Sequence, residues 1–343
     1  MRVGLVYDRF GDTPRPPGAP DDWDAEYEPE ETVAALEDAL RRLGHTPVRV
    51  GPTAALLAAV RSGPITEPPL ALGAGLSVAE GLGIGEGGTR NREAHAQVLF
   101  ELAGVPALFS DAFATSLSLD KHLSKTVAAA AGVRTPAWTI LRPGAPDNVD
   151  AAVRLGFPLF VKPRYEGTAR GIAPTSRVET EADLRREAAR QHALYRQDLL
   201  AEVFVAGDEA TVGVVGTGDG ARALPLLLRA TEAATGIGLH ALGRHERTEA
   251  PFAYAVPGVL SAHAEAEAAR MAVAVHRALG LADVSRTDVR IDRAGAVWFL
   301  EVNALPTFAP DGTFAVVAEL AGVPYGEWLA GVLAVGFERL AGG

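Results

Sequence analysis

Cysteine is absent from the 343 residues of this chain. Its absence excludes disulfide bonds, thiolate metal sites and a cysteine nucleophile. No apolar run approaches the length that spans a membrane. The N-terminal residues lack the basic region and the long apolar stretch of a secretory signal. We therefore expect a cytoplasmic protein that does not interact with a membrane.

Positive charge is also scarce. Lys and Arg number 32 against 43 Asp and Glu, which gives a net charge of −11. Few of the basic residues are lysines, a bias without an obvious mechanistic meaning. Binding to a phosphate backbone requires a basic surface, so we expect no nucleic-acid partner. The hydrophobic fraction of 48% allows a full core, and the length predicts two or three domains.

The chain begins with a pattern of alternating strand and helix. Arg2 to Tyr7 is predicted as a strand, Glu30 to Leu43 as an amphipathic helix and Val48 to Val50 as a further strand. This order indicates a parallel sheet. The glycine-rich run at 80–88 resembles a dinucleotide fingerprint, but that fingerprint belongs in the first βα turn. A loop on the substrate side is the better interpretation, and a nicotinamide-dependent oxidoreductase is the weakest alternative.

Two apolar segments near the C-terminus are joined by a short turn and predict a β-hairpin. The first is Val284 to Asp292, which contains Asp288, and the second begins at Val297. Glu301 and Asn303 stand two residues apart on the second strand, so their side chains point to the same face. If Asp288 shares that face, two carboxylates and an amide oxygen converge. Such hard oxygen ligands suit Mg²⁺ held together with substrate phosphates.

Several charged residues interrupt apolar strands or follow them directly. Lys162 ends the strand FPLFVK, where a charge is costly unless it meets an anion. The loop Glu166 to Gly171 could wrap phosphates with its backbone N–H groups. Glu202 lies in the strand AEVFV, Glu209 follows a Gly-Asp turn and Lys125 lies on a predicted helix. Each charge alone is more often a solvated surface group than a ligand, so their joint order carries the argument.

That order resembles the ATP-grasp superfamily and, within it, the D-alanine–D-alanine ligase branch. The resemblance spans most of the chain. It implies an α/β fold with a Rossmann-like N-terminal domain, a small β-rich lid of α+β type and a larger C-terminal domain. We place these at residues 1–90, 91–200 and 201–343. The matching segments are SLDKHLSK at 118–125, LGFPLFVKPRYEGTARGI at 155–172, LLAEVFVAGDEATVGVVG at 199–216 and SRTDVRID with VWFLEVNALP between 285 and 306.

The resemblance implies ATP and Mg²⁺ as cofactors, with two ions expected and Mn²⁺ as a possible substitute. Asp288, Glu301 and Asn303 would hold the metal, and Arg286 would stabilise the charge that develops on the reacting groups. The residues implied to contact ATP are Lys125 and Lys162 at the phosphates, Glu166 and Gly167 in the phosphate loop, Glu202, Phe204 and Val205 at the adenine, and Glu209 at the ribose.

The chain departs from the family at the lid loop and the N-terminal segment. The family's paired serines in the lid loop are Thr168 and Ala169 here, so one hydroxyl is kept. The family's Gly-Gly-x-Ser pattern after the first strand is replaced by the long acidic loop from Arg9 to Glu28. Glu26 or Glu28 could hold the ammonium group of the carboxylate donor. We count Thr168 and Glu26 with Arg286 as the expected catalytic residues.

The acceptor end departs further. The family's glycine after the metal-binding asparagine is Thr307 here, and the position of its carboxylate-binding serine falls near Gly312. Asp311 in this region would repel the carboxylate of a second amino acid. The family's mobile loop with a Tyr-Lys-Tyr cluster corresponds to Ala230 to Arg247, which has neither Tyr nor Lys. The candidate replacement cations are His240, Arg244, His245 and Arg247, although an exposed loop histidine is the simpler interpretation of each histidine.

These expectations describe an ATP-dependent carboxylate–amine ligase that forms an amide or dipeptide bond through an acyl phosphate. Its partners would be a small carboxylate, such as an amino acid, and an amine acceptor that differs from D-alanine, as in specialised metabolism. The family also favours a homodimer. The alternatives are an ATP-dependent intramolecular cyclase, a genuine D-Ala–D-Ala ligase and a non-catalytic nucleotide-binding protein. The sequence leaves the donor, its chirality and the choice between amine and hydroxyl acceptor open.

Overall fold

The computed structural model describes residues 1–145, 147–242, 254–255 and 260–342. Within these residues the chain forms three sheets, of three, four and six strands, covered by helices. The α/β fold class expected from the sequence is confirmed. The domain boundaries at 90 and 200 stay a prediction.

The first sheet is parallel, with strand order β2-β1-β3. Five of the six residues of its central strand β1 are buried, as expected for a strand covered on both faces. The βαβ start predicted from the sequence is therefore confirmed. The elements are β1 Arg2–Tyr7, α1 Glu30–Arg42, β2 Thr46–Gly51, α2 Thr53–Ser62 and β3 Ala74–Val78.

Three short helices follow: α3 His95–Leu102, α4 Ala112–Leu119 and α5 Lys121–Ala130. Asp120 has an extended backbone and divides α4 from α5. Its carboxylate accepts hydrogen bonds from the backbone N–H groups of His122 and Leu123. An aspartate that caps a helix in this way satisfies N–H groups that lack an intrahelical partner.

The second sheet is antiparallel, with strand order β4-β7-β5-β6. Its central strands carry Lys162 on β5 and Glu202 on β7. Helix α7 packs behind the sheet and begins at the N-cap Thr180, whose hydroxyl accepts from Asp183 N–H. The elements are β4 Trp138–Leu141, α6 Asp147–Val153, β5 Leu159–Pro163, β6 Arg177–Val178, α7 Glu181–Tyr195 and β7 Leu199–Val203.

The third sheet is also antiparallel, with order β11-β10-β8-β12-β13 and β9 paired to β8. The hairpin predicted from the sequence is confirmed as β12 and β13, and Asp292 holds its turn by accepting from the N–H groups of Ala294 and Ala296. The elements are β8 Gly207–Val215, β9 Arg222–Ala223, β10 Leu227–Arg229, α8 Leu239–Leu242, β11 Tyr254–Ala255, α9 Ala262–Ala278, β12 Val284–Asp292, β13 Val297–Asn303, α10 Thr313–Leu320 and α11 Tyr325–Gly342.

The largest apolar cluster joins the first sheet to the C-terminal helices. Leu5 and Leu76 of that sheet share it with Phe308, Phe314 and Leu333. In the described part of the chain no single helix is long and apolar enough to cross a membrane. One pair bent by 105°, α10 with α11, meets the length and composition criteria only when taken together.

Candidate active site

The site begins with the register of β12 against its two neighbours. Asp288 lies directly opposite Glu301 on β13, and Arg286 lies opposite Asn303. Directly opposed residues of an antiparallel pair point to the same face. The convergence expected for Asp288, Glu301 and Asn303 is therefore observed. The register shifts by one residue after Asp288, a bulge of the kind that re-aims side chains beside functional sites.

Asp288 is 7% exposed and lies between two guanidinium groups. Arg286 Nη2 is 3.2 Å from its Oδ2 and Arg229 Nη2 is 3.7 Å from its Oδ1. Burial raises the pKa of this carboxyl, but the two arginine charges outweigh burial and hold it below the usual value. Asp288 Oδ1 accepts no hydrogen bond from the described residues. A buried, ionised oxygen in this state fits a divalent cation.

Glu301 supplies the second carboxylate. Burial opposes its ionisation, but the nearby Lys121 and Lys162 charges hold its pKa well below the ordinary range. Lys162 Nζ is 3.1 Å from Glu301 Oε2 and 3.0 Å from Glu202 Oε1, and these neighbours raise its pKa against the effect of burial. This lysine links the second sheet to the third, because Glu202 lies on β7 and Glu301 on β13.

Lys125 lies behind this group and is fully buried. Its ammonium is 2.7 Å from Glu202 Oε2 and donates to Thr135 Oγ1 at 2.8 Å and to the Phe299 carbonyl at 3.3 Å. Burial lowers the pKa of Lys125 to about 8. A direct contact with ATP phosphates does not follow from this placement. In the described structure Lys125 holds Glu202 in place.

A cavity of about 450 Å³ lies between the second and third sheets, against the N-terminal segment. Eleven of the residues predicted from the sequence as catalytic, nucleotide-binding or metal-binding line it, whereas Lys125, Glu166 and Gly167 do not. The eleven are Glu26, Lys162, Thr168, Glu202, Phe204, Val205, Glu209, Arg286, Asp288, Glu301 and Asn303.

The predicted adenine side of the cavity contains an aromatic ring between two arginines. The guanidinium carbons of Arg177 and Arg290 are 4.7 Å and 4.8 Å from the centroid of the Phe204 ring. Arg290 also donates to the carbonyls of Gly207 and Gly236, at 2.9 Å and 2.8 Å. Cation–π contacts of this kind orient a ring, so the two arginines fix Phe204 where it lines the cavity.

The lid loop is held by the N-terminal segment. Gly167 N–H donates to Glu26 Oε1 at 2.6 Å, and Arg92 and Arg170 approach the Glu26 oxygens to 2.8 Å and 3.1 Å. Burial raises the pKa of Glu26, but the two arginines outweigh it and lower that pKa to about 2. Glu26 thus binds protein groups here, and its role toward a donor ammonium stays a prediction.

The neighbouring Glu166 is also engaged within the protein. It pairs with Arg170 at 2.6 Å and accepts from Gln197 Nε2 at 2.6 Å, so both of its oxygens bind protein groups. Thr168 and Ala169 both have positive φ, +50° and +59°. This left-handed backbone is uncommon outside glycine and places both residues on the cavity wall.

The amino-acid sequence matches a known family over most of its length. The family profile described as D-ala D-ala ligase C-terminus matches residues 127–334. A D-alanine–D-alanine ligase of Bordetella petrii is 36% identical over 231 residues, which is 67% of this chain and 68% of that protein.

The chain belongs to the D-alanine–D-alanine ligase family. Members of this ATP-grasp family are ATP-dependent ligases that form C–N bonds.

Two solved structures share the fold. The D-alanine–D-alanine ligase of Bacillus anthracis complexed with ATP has a TM-score of 0.71 at 19% identity over the whole of both chains. The VanG D-Ala:D-Ser ligase of Enterococcus faecalis has a TM-score of 0.67 at 18% identity, covering 97% of this chain and 98% of that one.

The D-alanine–D-alanine ligase family has a loop cation for which this chain offers four candidate replacements, and the structure describes only one of them. His240 lines the cavity, and its Nε2 is 3.5 Å from Glu209 Oε1. Arg244, His245 and Arg247 lie outside the described residues.

The cavity contains two arginines that the sequence analysis did not select, Arg229 and Arg290. Each interrupts an apolar strand, in LPLLLRA and VRID. A charged residue in an apolar strand was also the signal that identified Lys162, so the same signal could have identified Arg229 and Arg290.

Proposed function

We propose that this chain is an ATP- and Mg²⁺-dependent ligase that activates a small carboxylate as an acyl phosphate and joins it to an amine. The proposal rests chiefly on one observation, the shared face of Asp288, Glu301, Asn303 and Arg286 on the hairpin β12–β13. Two carboxylates, an amide oxygen and a guanidinium fit a metal-bound triphosphate and the charge that builds up beside it.

The residues act by binding and positioning. Bound Mg²⁺ would neutralise phosphate charge during transfer. Asp288, Glu301 and Asn303 would hold it, and Arg286 would stabilise negative charge on the transferring groups. The donor carboxylate oxygen attacks the γ-phosphorus and ADP leaves; the amine nitrogen then attacks the acyl carbon, phosphate leaves and the amine loses a proton. Enclosure by the lid loop excludes water, which would otherwise hydrolyse the acyl phosphate.

The substrate end of the cavity supports an acceptor that differs from D-alanine. Glu28, Asp311 and Thr307 line it together with the apolar Phe10 and Tyr27. The Thr307 hydroxyl, at the family's glycine position, donates to Glu28 Oε2 at 3.0 Å. None of the described cavity residues from the N-terminal segment or from 305–313 is a lysine or arginine. A second amino acid would bring its carboxylate toward these acids, so we propose an amine without that carboxylate.

The experiment is phosphate release from ATP and Mg²⁺ with amino acids and amines supplied singly and in pairs, with product masses recorded. Release that depends on a pair, with a product lighter by one water than its two substrates, is expected. D-alanine and D-alaninamide form a matched pair of acceptors, and we expect kcat/KM to favour the amide at least about tenfold, or about 1.4 kcal/mol. D-alanyl-D-alanine formed as fast as any other product would contradict the altered acceptor. Turnover of a single substrate with loss of water would indicate the cyclase instead.

A further inference from the structure

Arg229 occupies a position on the cavity face of the third sheet that no expected role explains. It ends β10, directly opposite Glu209 on β8, and Glu209 lies opposite Arg290 on β12. The three side chains therefore form one row across three strands. The Arg229 side chain is 6% exposed and lines the cavity. An arginine buried to this degree requires anions or acceptors around it.

The geometry around Asp288 directs Arg229 toward the expected metal site. Arg286 Nη2 approaches one oxygen of Asp288 and Arg229 Nη2 approaches the other, at 3.2 Å and 3.7 Å. The second distance exceeds that of a hydrogen bond, so the pairing of Arg229 with Asp288 is loose. A cation held by Asp288 would bring any anion that it carries close to both guanidinium groups.

Two other cations in the cavity are already committed to protein groups. Lys162 contacts two carboxylates, Glu202 and Glu301. Arg290 uses one nitrogen on two backbone carbonyls, those of Gly207 and Gly236. These contacts engage both side chains within the protein. Arg229 differs, because the contact of its Nη2 with Asp288, at 3.7 Å, is too long for a hydrogen bond and its side chain lines the cavity.

His240 orients Arg229. The two side chains meet at 2.8 Å between Arg229 Nη1 and His240 Nε2. A guanidinium only donates, so Nε2 is the acceptor in this contact. This contact holds one terminal nitrogen of Arg229 and leaves the other directed at Asp288. A replacement cation was expected between Ala230 and Arg247. Arg229 lies one residue before that interval, and its partner His240 lies within it.

We propose that Arg229 binds the terminal phosphates of the nucleotide beside Arg286, with His240 as its positioning residue. The inference rests on the proposed function, since it needs ATP to enter this cavity. Arginine suits the role because its planar fork recognises phosphate oxygens in pairs. The interaction involves the β- and γ-phosphates and not the adenine, because Arg229 Nη2 lies 3.7 Å from the predicted metal ligand Asp288.

The test is the affinity of the purified full-length chain for AMP, ADP and ATP with Mg²⁺, measured by calorimetry. The variants are Arg229→Gln, Arg229→Lys and, as a matched control, Arg222→Gln on the exposed strand β9 of the same sheet. Loss of a charge-assisted hydrogen bond should weaken ATP binding by Arg229→Gln about ten- to a hundredfold. AMP affinity should stay within about twofold of the native value, since the single phosphate of AMP does not reach Arg229. Arg229→Lys should recover part of the ATP affinity, and Arg222→Gln should match the native chain.

Two results would overturn the assignment. Unchanged ATP affinity in Arg229→Gln would show that Arg229 does not touch the phosphates. Equal losses for AMP and ATP, or a lost unfolding transition in both Arg229 variants, would show that it only supports the fold. A native chain that binds none of the three nucleotides would overturn the proposed function together with this inference, so the two failures are distinguishable.

Discussion

Lysine occurs three times in this chain, as Lys121, Lys125 and Lys162, and every copy lies buried beside the cavity. Arginine supplies all other basic side chains. The scarcity of lysine has no evident meaning in the sequence alone, but in the structure all three lysines occupy buried positions beside the cavity. The compact ammonium group fits between closely spaced carboxylates where a guanidinium is too wide.

The pair of Lys125 and Glu202 should dominate local stability. Lys125→Met leaves part of the Glu202 charge buried and uncompensated, which should lower the free energy of unfolding by about 3–5 kcal/mol. Glu202→Gln should also destabilise. The double variant should be about 1–3 kcal/mol more stable than the sum of the single effects predicts. Urea unfolding of the four proteins measures this, and strictly additive losses would contradict a direct pairing.

Glu93 gives stability a dependence on pH. Burial raises its pKa from 4.5 to about 7, so between these values the folded chain binds more protons than the unfolded chain. The stability contributed by this group is therefore complete below pH 4.5 and is lost as the pH rises to about 7. Glu93→Gln should flatten the decline in unfolding free energy over that window. Glu101→Gln, exposed on α3, is the control, and native-like slopes in both variants would contradict this account.

At the scale of elements, the contact between β3 and α3 depends on a glycine. A Cβ on Gly75 would lie 2.5 Å from ring atoms of the fully buried Phe100. Gly75→Ala should therefore cost about 1–3 kcal/mol. Gly331 on α11 has open space where a Cβ would stand, so Gly331→Ala should instead add about 0.5–1 kcal/mol through helix propensity. Thermal unfolding distinguishes the two, and equal effects would refute the packing argument.

The β12–β13 hairpin shows which parts of the site a local sequence pattern can predict. Its strands and the shared face of Glu301 and Asn303 could be predicted from alternation and a short turn, whereas the position of Asp288 on that face depends on the bulge beside it, which the local pattern does not show. The row of Arg229, Glu209 and Arg290 could not be predicted either, because its strands are far apart in sequence and their register is set by tertiary pairing.

At the scale of the whole molecule, the cavity closes only because three separate parts of the chain meet. The N-terminal segment contributes Glu26, the segment after β3 contributes Arg92, and the lid loop contributes Gly167 and Arg170. The long acidic loop from Arg9 to Glu28 thus forms a wall of the site. Hydrogen bonds and ion pairs between these parts position the second sheet over the metal-binding face of the third.

Activation of a carboxylate as an acyl phosphate in this cavity is the step on which the proposed function depends. The most direct measurement uses the donor identified by the pairwise screen, labelled with ¹⁸O in its carboxylate, and the mass of the phosphate released with its acceptor. An oxygen of the carboxylate attacks phosphorus, so each phosphate should carry one carboxylate oxygen. Asp288→Asn should release little phosphate, whereas Asp219→Asn, fully exposed on the surface, should behave as the native chain. Unlabelled phosphate, released together with the condensed product, would contradict the claim.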